Sequence, residues 1–328
     1  MEQLDETLDD IIKPKLVVSK RGKGIFYAVL SLIVTVIIIT CLTEAYGIAL
    51  YIGIPLTIGF ILGFKNKISF QFIKTSGKVF LTVMLLSWVL IAFKIEGAIC
   101  IIMIAVPLFV FIYIGSGLGY LIYKHNLQKS KTIVSLLLLI NPSFCIFDSQ
   151  QEMNNHSVSS QIEIVASKEE IWNTLVHPVQ YNEHPNLLFQ YGVNYPKTME
   201  IVQKNDTTTL LRCNLRNGNI DLNVNKFYKD SLMQFEINEP VIPIKELTVY
   251  KDVHTPHTND KYFKLHYGEF EIKAIDKNKS VLVATSNFSY RFSPDFYWKW
   301  WSCYLMNKMH NHVLEDIKLK SEQLHEAS

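Results

Sequence analysis

The sequence predicts two joined architectures: an N-terminal bundle of transmembrane helices, then an α+β domain whose antiparallel sheet packs around one long C-terminal helix. Three observations carry this. Apolar stretches fill most of residues 25–147, and the cations between them fall almost entirely on one side of an implied membrane. Residues 197–292 are dominated by period-two patterns broken by polar turn clusters, the signature of strands and hairpins. The chain then closes on a helix with one continuous apolar stripe, which needs a sheet to cover it.

The candidate spans are residues 25–42, 45–64, 79–93, 98–123 and 133–147. A hydrocarbon core about 30 Å thick takes roughly 20 helical residues, with about 17 as a practical minimum. The first, second and fourth stretches meet that length. The third borrows Gly77 and Lys78 to reach it, and the fifth is short and carries Asn141-Pro142. Lys13, Lys15, Lys20, Arg21 and Lys23 precede the first stretch. Lys65, Lys67, Lys74 and Lys78 follow the second, and Lys124, Lys129 and Lys131 follow the fourth. The other two loops hold Glu44 in one and Lys94 with Glu96 in the other. Because basic loops stay in the cytoplasm, five spans over residues 25–148 put segment 1–24 inside and everything after Asp148 outside. Without the fifth crossing the same tail is cytoplasmic.

Composition divides the chain the same way. Residues 1–150 hold 13 Lys and Arg against 8 Asp and Glu, whereas residues 151–328 hold 19 against 22. The basic excess sits in loops beside anionic lipid, and the acidic second half has no basic stripe, which excludes nucleic acid as a partner. The spans carry no ionisable residue between their ends, which argues against an ion path. Gly53, Gly59, Gly63, Gly115, Gly117 and Gly119, with Pro55, suit close helix packing. Cys41, Cys100 and Cys145 lie in apolar stretches, and Cys213 and Cys303 lack any C-x-x-C spacing for metal or redox work.

Residues 149–157 are polar and aperiodic and read as a linker to a domain over residues 158–323. Residues 158–165 alternate as a strand. Ser167 caps a helix over 168–175 whose Ile171, Trp172 and Leu175 share a face, and a second short helical stretch lies near 182–189. Strands follow at 197–203, 207–215, 219–228, 232–237, 246–250, 261–275 and 280–292. Turn chemistry is supplied by Lys204 to Asp206, Arg216 to Gly218 and Asp276 to Lys279. Ser293 as N-cap and Pro294 at the first helical position start the last helix, which runs to about 323 with Trp301, Leu305, Met309, Val313 and Ile317 recurring every fourth residue.

That order of elements resembles the START-like superfamily, also called SRPBCC or polyketide cyclase-like, over about residues 158–323. Tyr262-Phe263 followed by Gly268-Glu269-Phe270, the run Thr285 to Tyr290, Pro294-Asp295-Phe296-Tyr297-Trp298 and the run His310 to Lys318 look like a membrane-anchored bacterial subgroup. Arg212-Cys213 before Asn217-Gly218, and His254-Thr255-Pro256-His257, are similar to further motifs of it. The resemblance implies a helix-grip fold, a curved sheet around the last helix enclosing an apolar cavity. It implies no chemistry.

His254-x-x-His257 with His266 nearby is the sharpest metal candidate, but the spacing lacks a third ligand and a supporting shell, so no metal or cofactor is expected. Alternation along residues 262–272 puts His266 inward with Phe270 and Ile272, and Glu269 with Glu271 outward. Arg212, His266 and Tyr290 on strands, with Tyr297, Trp301, Leu305 and Met309 along the final helix, form the expected ligand-binding set. No catalytic residue is assigned, because the chain has no nucleophile elbow, Walker A or dinucleotide fingerprint. The sequence reading is therefore a multi-pass protein of the bacterial cytoplasmic (inner) membrane, its N-terminus inside and its START-like domain outside. Its partners would be membrane lipid and a hydrophobic small molecule or lipid held in the cavity. The alternatives are a cyclase, dehydratase or hydrolase using Arg212, His266 or Tyr290, and a membrane interaction module with a vestigial cavity.

Overall fold

The computed structural model describes residues 47–65, 72–92, 98–124, 141–181, 189, 193–204, 209–216, 218–239, 241 and 262–327. The first predicted span, most of the fifth, the strand at 246–250 and the His254/His257 pair lie outside them.

A π-helical turn, Ala49–Gly53, leads into α1 (Ile54–Lys65), followed by α2 (Phe72–Ala92) and α3 (Ala98–Lys124). Residues 141–149 form a fourth helix, α4. Five membrane crossings were expected; among the described residues one helix, Ile101–Lys124, is long and apolar enough to cross, and Ala49–Gly63 and Ser76–Val89 are shorter apolar runs. Small residues let α1 and α3 touch backbone to backbone. A Cβ on Gly59 would strike the carbonyl of Ile112, one on Gly63 that of Ser116, and one on Gly115 that of Leu56. Gly117 faces open space.

α4 lies along the start of α1 and is fixed there by polar bonds inside apolar surroundings. Asn141 Nδ2 donates to Thr57 Oγ1 at 3.0 Å, and the buried Asp148 Oδ2 accepts from the Ala49 backbone N–H at 3.0 Å. Two glycines make room for these side chains, because Cβ atoms on Gly53 and Gly47 would overlap Asn141 and Asp148.

The α+β domain is one antiparallel sheet of eight strands: β1 (Asn154–Ile164), β2 (Val179–Gln180), β3 (Pro196–Lys204), β4 (Thr209–Leu215), β5 (Asn219–Tyr228), β6 (Leu232–Glu236), β7 (Phe263–Ala274) and β8 (Ser280–Tyr290). Their order is β1-β8-β7-β6-β5-β4-β3-β2, so the first strand pairs with the last and the rest form a meander. β-Bulges in β3, β5 and β7 bend the sheet. α5 (Lys168–Val176) follows β1, held by a full capping box between Ser167 and Glu170. α6 (Asp295–Ala327) lies against the sheet and packs on β1, β8 and α5. The result is a helix-grip fold. The core between α5, α6 and the sheet's inner face includes Ile164, Ile171, Trp172, Leu211, Met233, Leu282, Leu314 and Ile317.

Three local expectations change. β1 begins at Asn154, inside the predicted linker, because His156 stacks on Tyr290 with ring centroids 4.6 Å apart and its Nε2 meets Asp295 Oδ1 at 3.1 Å. Ser293 does not cap α6: its hydroxyl donates to Gln151 Oε1 at 2.7 Å, and the Pro294 carbonyl accepts the first helical N–H groups, from Tyr297 and Trp298. The buried stripe of α6 keeps the predicted Val313 and Ile317 but is shifted by about one residue in its amino-terminal half. Met306, His310, Val313, Leu314, Ile317 and Ser321 are buried, whereas Trp301, Leu305 and Met309 flank them half-exposed. Hydropathy alone missed the shift because His310 and Ser321 are polar residues whose hydrogen bonds are made inside the core.

The amino end of α6 docks on the apolar helices. Trp298 meets Tyr51 with centroids 5.2 Å apart, the Tyr297 hydroxyl donates to the carbonyl of Met103, and Arg291 donates to that of Ser149.

Candidate ligand cavity

A cavity of about 120 Å³ lies between α6 and the inner face of the sheet. Period-two alternation decides its walls. β4 offers Cys213, β5 Ile220 and Leu222, β6 Phe235, β7 Leu265 and Phe270, and β8 Ala284 and Ser286. α6 closes it with Met309, His310 and Val313, and Tyr181 stands at the β2 end. Gly268 is needed for shape: the Phe235 ring lies where its Cβ would be.

Among this apolar lining sits a connected polar group. Ser286 Oγ lies 2.8 Å from His310 Nε2, and His310 Nδ1 lies 3.1 Å from Ser160 Oγ, which donates to Asn307 Oδ1 at 2.6 Å. Burial pushes the His310 imidazole down to about 4, so it is neutral at ordinary pH. Burial likewise pushes the Cys213 thiol up to about 12, which leaves it an inert wall group. Two residues along, His312 points elsewhere, among the rings of Tyr195, Phe189 and Tyr181, and burial lowers its pKa too.

Of the seven residues expected to bind ligand, Met309 lines this cavity and the others stand apart from it. Arg212 is on the outer face, in a two-pronged bond to Asp221 at 2.8 and 2.9 Å that raises its own pKa and lowers that of Asp221. His266 falls on the face opposite Leu265, because the bulge between Leu265 and Tyr267 breaks the alternation that was to carry it inward. Its Nε2 meets Ser289 Oγ at 2.9 Å, and burial lowers its pKa. Tyr290 is buried at the amino end of α6, where its hydroxyl donates to Asp295 Oδ1 at 2.9 Å and burial raises its pKa. Tyr297 reaches Met103, and Trp301 and Leu305 pack in the cluster that joins α6 to the apolar helices. Arg212, His266 and Tyr290 therefore do not form one acid–base constellation. The described residues hold no group of three or more metal-ligating side chains.

The sequence reading missed Ser286, His310, Ser160 and Asn307. A signal for three of them was present. Ser286 keeps step with Leu282, Ala284 and Phe288, Ser160 with Val158, Ile162 and Ile164, and His310 with Met306, Val313 and Ile317, each a polar residue at a core-facing position.

No protein-family model matches this chain, and no curated protein matches it. Solved structures do match. The ZhuI aromatase/cyclase from Streptomyces sp. R1128 is 11% identical with a TM-score of 0.32, over 52% of this chain and 95% of its own. A START superfamily protein from Mycobacterium smegmatis is 14% identical with a TM-score of 0.33, over 52% and 99%. Norcoclaurine synthase from Thalictrum flavum in complex with dopamine and hydroxybenzaldehyde is 12% identical with a TM-score of 0.34, over 54% and 90%. Likenesses this distant assign no activity and add nothing to the architecture, which stands on the strand order and on α6.

Proposed function

We propose that this protein is a membrane-attached binding protein whose helix-grip domain takes up a small apolar molecule. The observation that carries this is the apolar cavity under α6. Its volume of about 120 Å³ sets the size of the occupant. An apolar cavity of about 150 Å³ holds a benzene ring, whereas drug-sized ligands need roughly 300 Å³ or more. A hydrophobic molecule of single-ring size suits a cavity of that volume.

Membrane attachment is supported by surface. Phe80, Leu81, Met84, Leu85 and Trp88 on α2, and Ile102, Val106, Val110, Ile114, Leu118 and Leu121 on α3, are all large, apolar and exposed. So large an apolar surface needs lipid or protein to cover it. In this reading the helices form the five-span anchor of a membrane-anchored START-like protein, and the lysine distribution puts the domain on the outer face of the bacterial cytoplasmic membrane. The test is ring binding to the full chain in detergent, read from the ¹⁹F resonance of fluorobenzene. A distinct, saturable bound signal that toluene displaces is expected, and its absence rejects the proposal.

A second reading is favoured by the Ser286–His310 pair: a hydroxyl 2.8 Å from a neutral imidazole is the start of a nucleophile and its base, as a hydrolase needs. Covalent labelling of Ser286 by a fluorophosphonate, abolished in His310→Gln, would favour that enzyme. An unlabelled chain that still binds fluorobenzene supports binding alone.

A further inference from the structure

The polar chain behind the cavity has a direction, and the direction selects a ligand. A hydroxyl carries one proton and accepts on its lone pairs, and a neutral imidazole donates from one nitrogen and accepts on the other. Ser160 spends its proton on Asn307 Oδ1, at 2.6 Å. Towards His310 it can then only accept, so the contact at 3.1 Å requires a proton on His310 Nδ1. Nε2 is therefore the accepting nitrogen, and the contact at 2.8 Å is a bond donated by the Ser286 hydroxyl. With that proton committed, Ser286 Oγ has only lone pairs to offer the cavity. Ser286 and His310 both line it, beside the apolar Leu265, Ala284, Met309 and Val313.

Building on the cavity reading above, we propose that Ser286 and His310 form an acceptor site selecting an apolar ring that carries one hydrogen-bond donor, a phenol-type molecule. An unsubstituted ring leaves Ser286 as it is, with its proton on His310. A phenol-type hydroxyl donates to Ser286 Oγ, and its ring fills the apolar remainder. A ring bearing only an acceptor meets lone pair with lone pair, and to bind it the chain must break the Ser286–His310 bond, which costs more than the new bond returns.

The experiment uses the full chain in detergent micelles with fluorobenzene as ¹⁹F reporter, displaced by toluene or by phenol, which is close to toluene in shape. Native protein and the double variant Ser286→Ala/His310→Leu, which removes both acceptors, are compared. In the variant phenol should weaken by about tenfold or more, because its donor is left unmet in an apolar cavity, while toluene stays within about twofold. Retained toluene binding shows that the variant is folded. Phenol and toluene weakening alike, or phenol unchanged in a variant that still binds toluene, would overturn the acceptor site and leave the cavity reading intact. Failure of every ring to displace the reporter from native protein would overturn the cavity reading and, with it, this one. The tautomer gives a readout that needs no variant: ¹⁵N shifts of the His310 ring should show Nδ1 protonated, with Nε2 moving on addition of phenol and not of toluene. A proton on Nε2 would reverse the direction of the chain and refute the assignment.

Discussion

Single residues carry the chemistry of this domain, and the clearest case is His310. Its imidazole is buried, bonded at both nitrogens and held neutral down to about pH 4, against an ordinary value of 6.5. Between those values the unfolded chain binds a proton that the folded chain refuses, so stability rises with pH across that window. The contribution is complete above pH 6.5 and is lost as the pH falls toward 4, a change of about 3 kcal/mol at most. Burial lowers the pKa of His312 and His266 as well, so they steepen the slope in the same direction. Thermal unfolding of the full chain followed by near-ultraviolet circular dichroism should show the midpoint falling through that interval, with a shallower fall in His310→Gln. An unchanged midpoint from pH 6.5 to 4 would contradict the burial of a neutral imidazole. The sequence shows His310 on the final helix, but its apolar stripe of every fourth residue does not include it. Its partners Ser160 and Ser286 lie 126 residues apart and meet it only once β1 has paired with β8. That convergence is tertiary, and no spacing along the chain records it.

Elements were far more legible than the site they build, because an element depends on local pattern and a site on register. Ser167 is predicted to cap α5 and does so, and the structure adds the other half of a capping box, with Glu170 Oε2 accepting from the Ser167 N–H at 2.7 Å. β5 runs from Asn219 to Tyr228, as its alternation predicts. Register is where pattern reading ends. One extra residue in β7 turned His266 to the opposite face, and one buried polar residue per turn or two of α6 moved the core stripe off Trp301, Leu305 and Met309. Both errors come from carrying a period through a point where hydrogen bonding, rather than hydropathy, decided the geometry. The α1–α3 contact shows the opposite case, in which a short sequence motif maps directly onto packing. Gly59 and Gly63 are four residues apart on one face of α1 and meet Ile112 and Ser116 of α3 without side chains between. Gly59→Val should separate these helices and cost about 1 to 3 kcal/mol through overpacking. Gly117→Val, whose new side chain enters open space, should cost no more than the helix propensities imply. Melting temperatures of the two purified variants in the same detergent check this; equal effects would refute the close contact.

At the scale of the whole molecule, the cavity and the apolar helices belong to one structure, because the helix that roofs the cavity also docks on the helices. α6 contributes Met309, His310 and Val313 to the cavity, and near its amino end Tyr297 and Trp298 rest on Met103 and Tyr51. Whichever side of a membrane the carboxyl end of α4 occupies, the domain must occupy too, since only Gln150 to Met153 separate residue 149 from β1. The proposed topology therefore reduces to whether residues 133–147 cross. Their described part lies beside α1: Asn141 is bonded to Thr57, and Asp148 accepts from the backbone of Ala49, so α4 runs antiparallel to the start of α1. If α1 crosses toward the cytoplasmic Lys65, its amino end near Ala49 is external, and α4, ending beside Ala49, must emerge there as well. The antiparallel contact thus extends to α4 the orientation that the lysine distribution proposes for α1. Truncation fusions to alkaline phosphatase and to green fluorescent protein after Asn126 and after Gln151 decide it in a bacterial host. Fluorescence without phosphatase activity is expected at the first position and phosphatase activity without fluorescence at the second. The same readout at both positions would mean that residues 133–147 do not cross, and the cavity would then sample the cytoplasm.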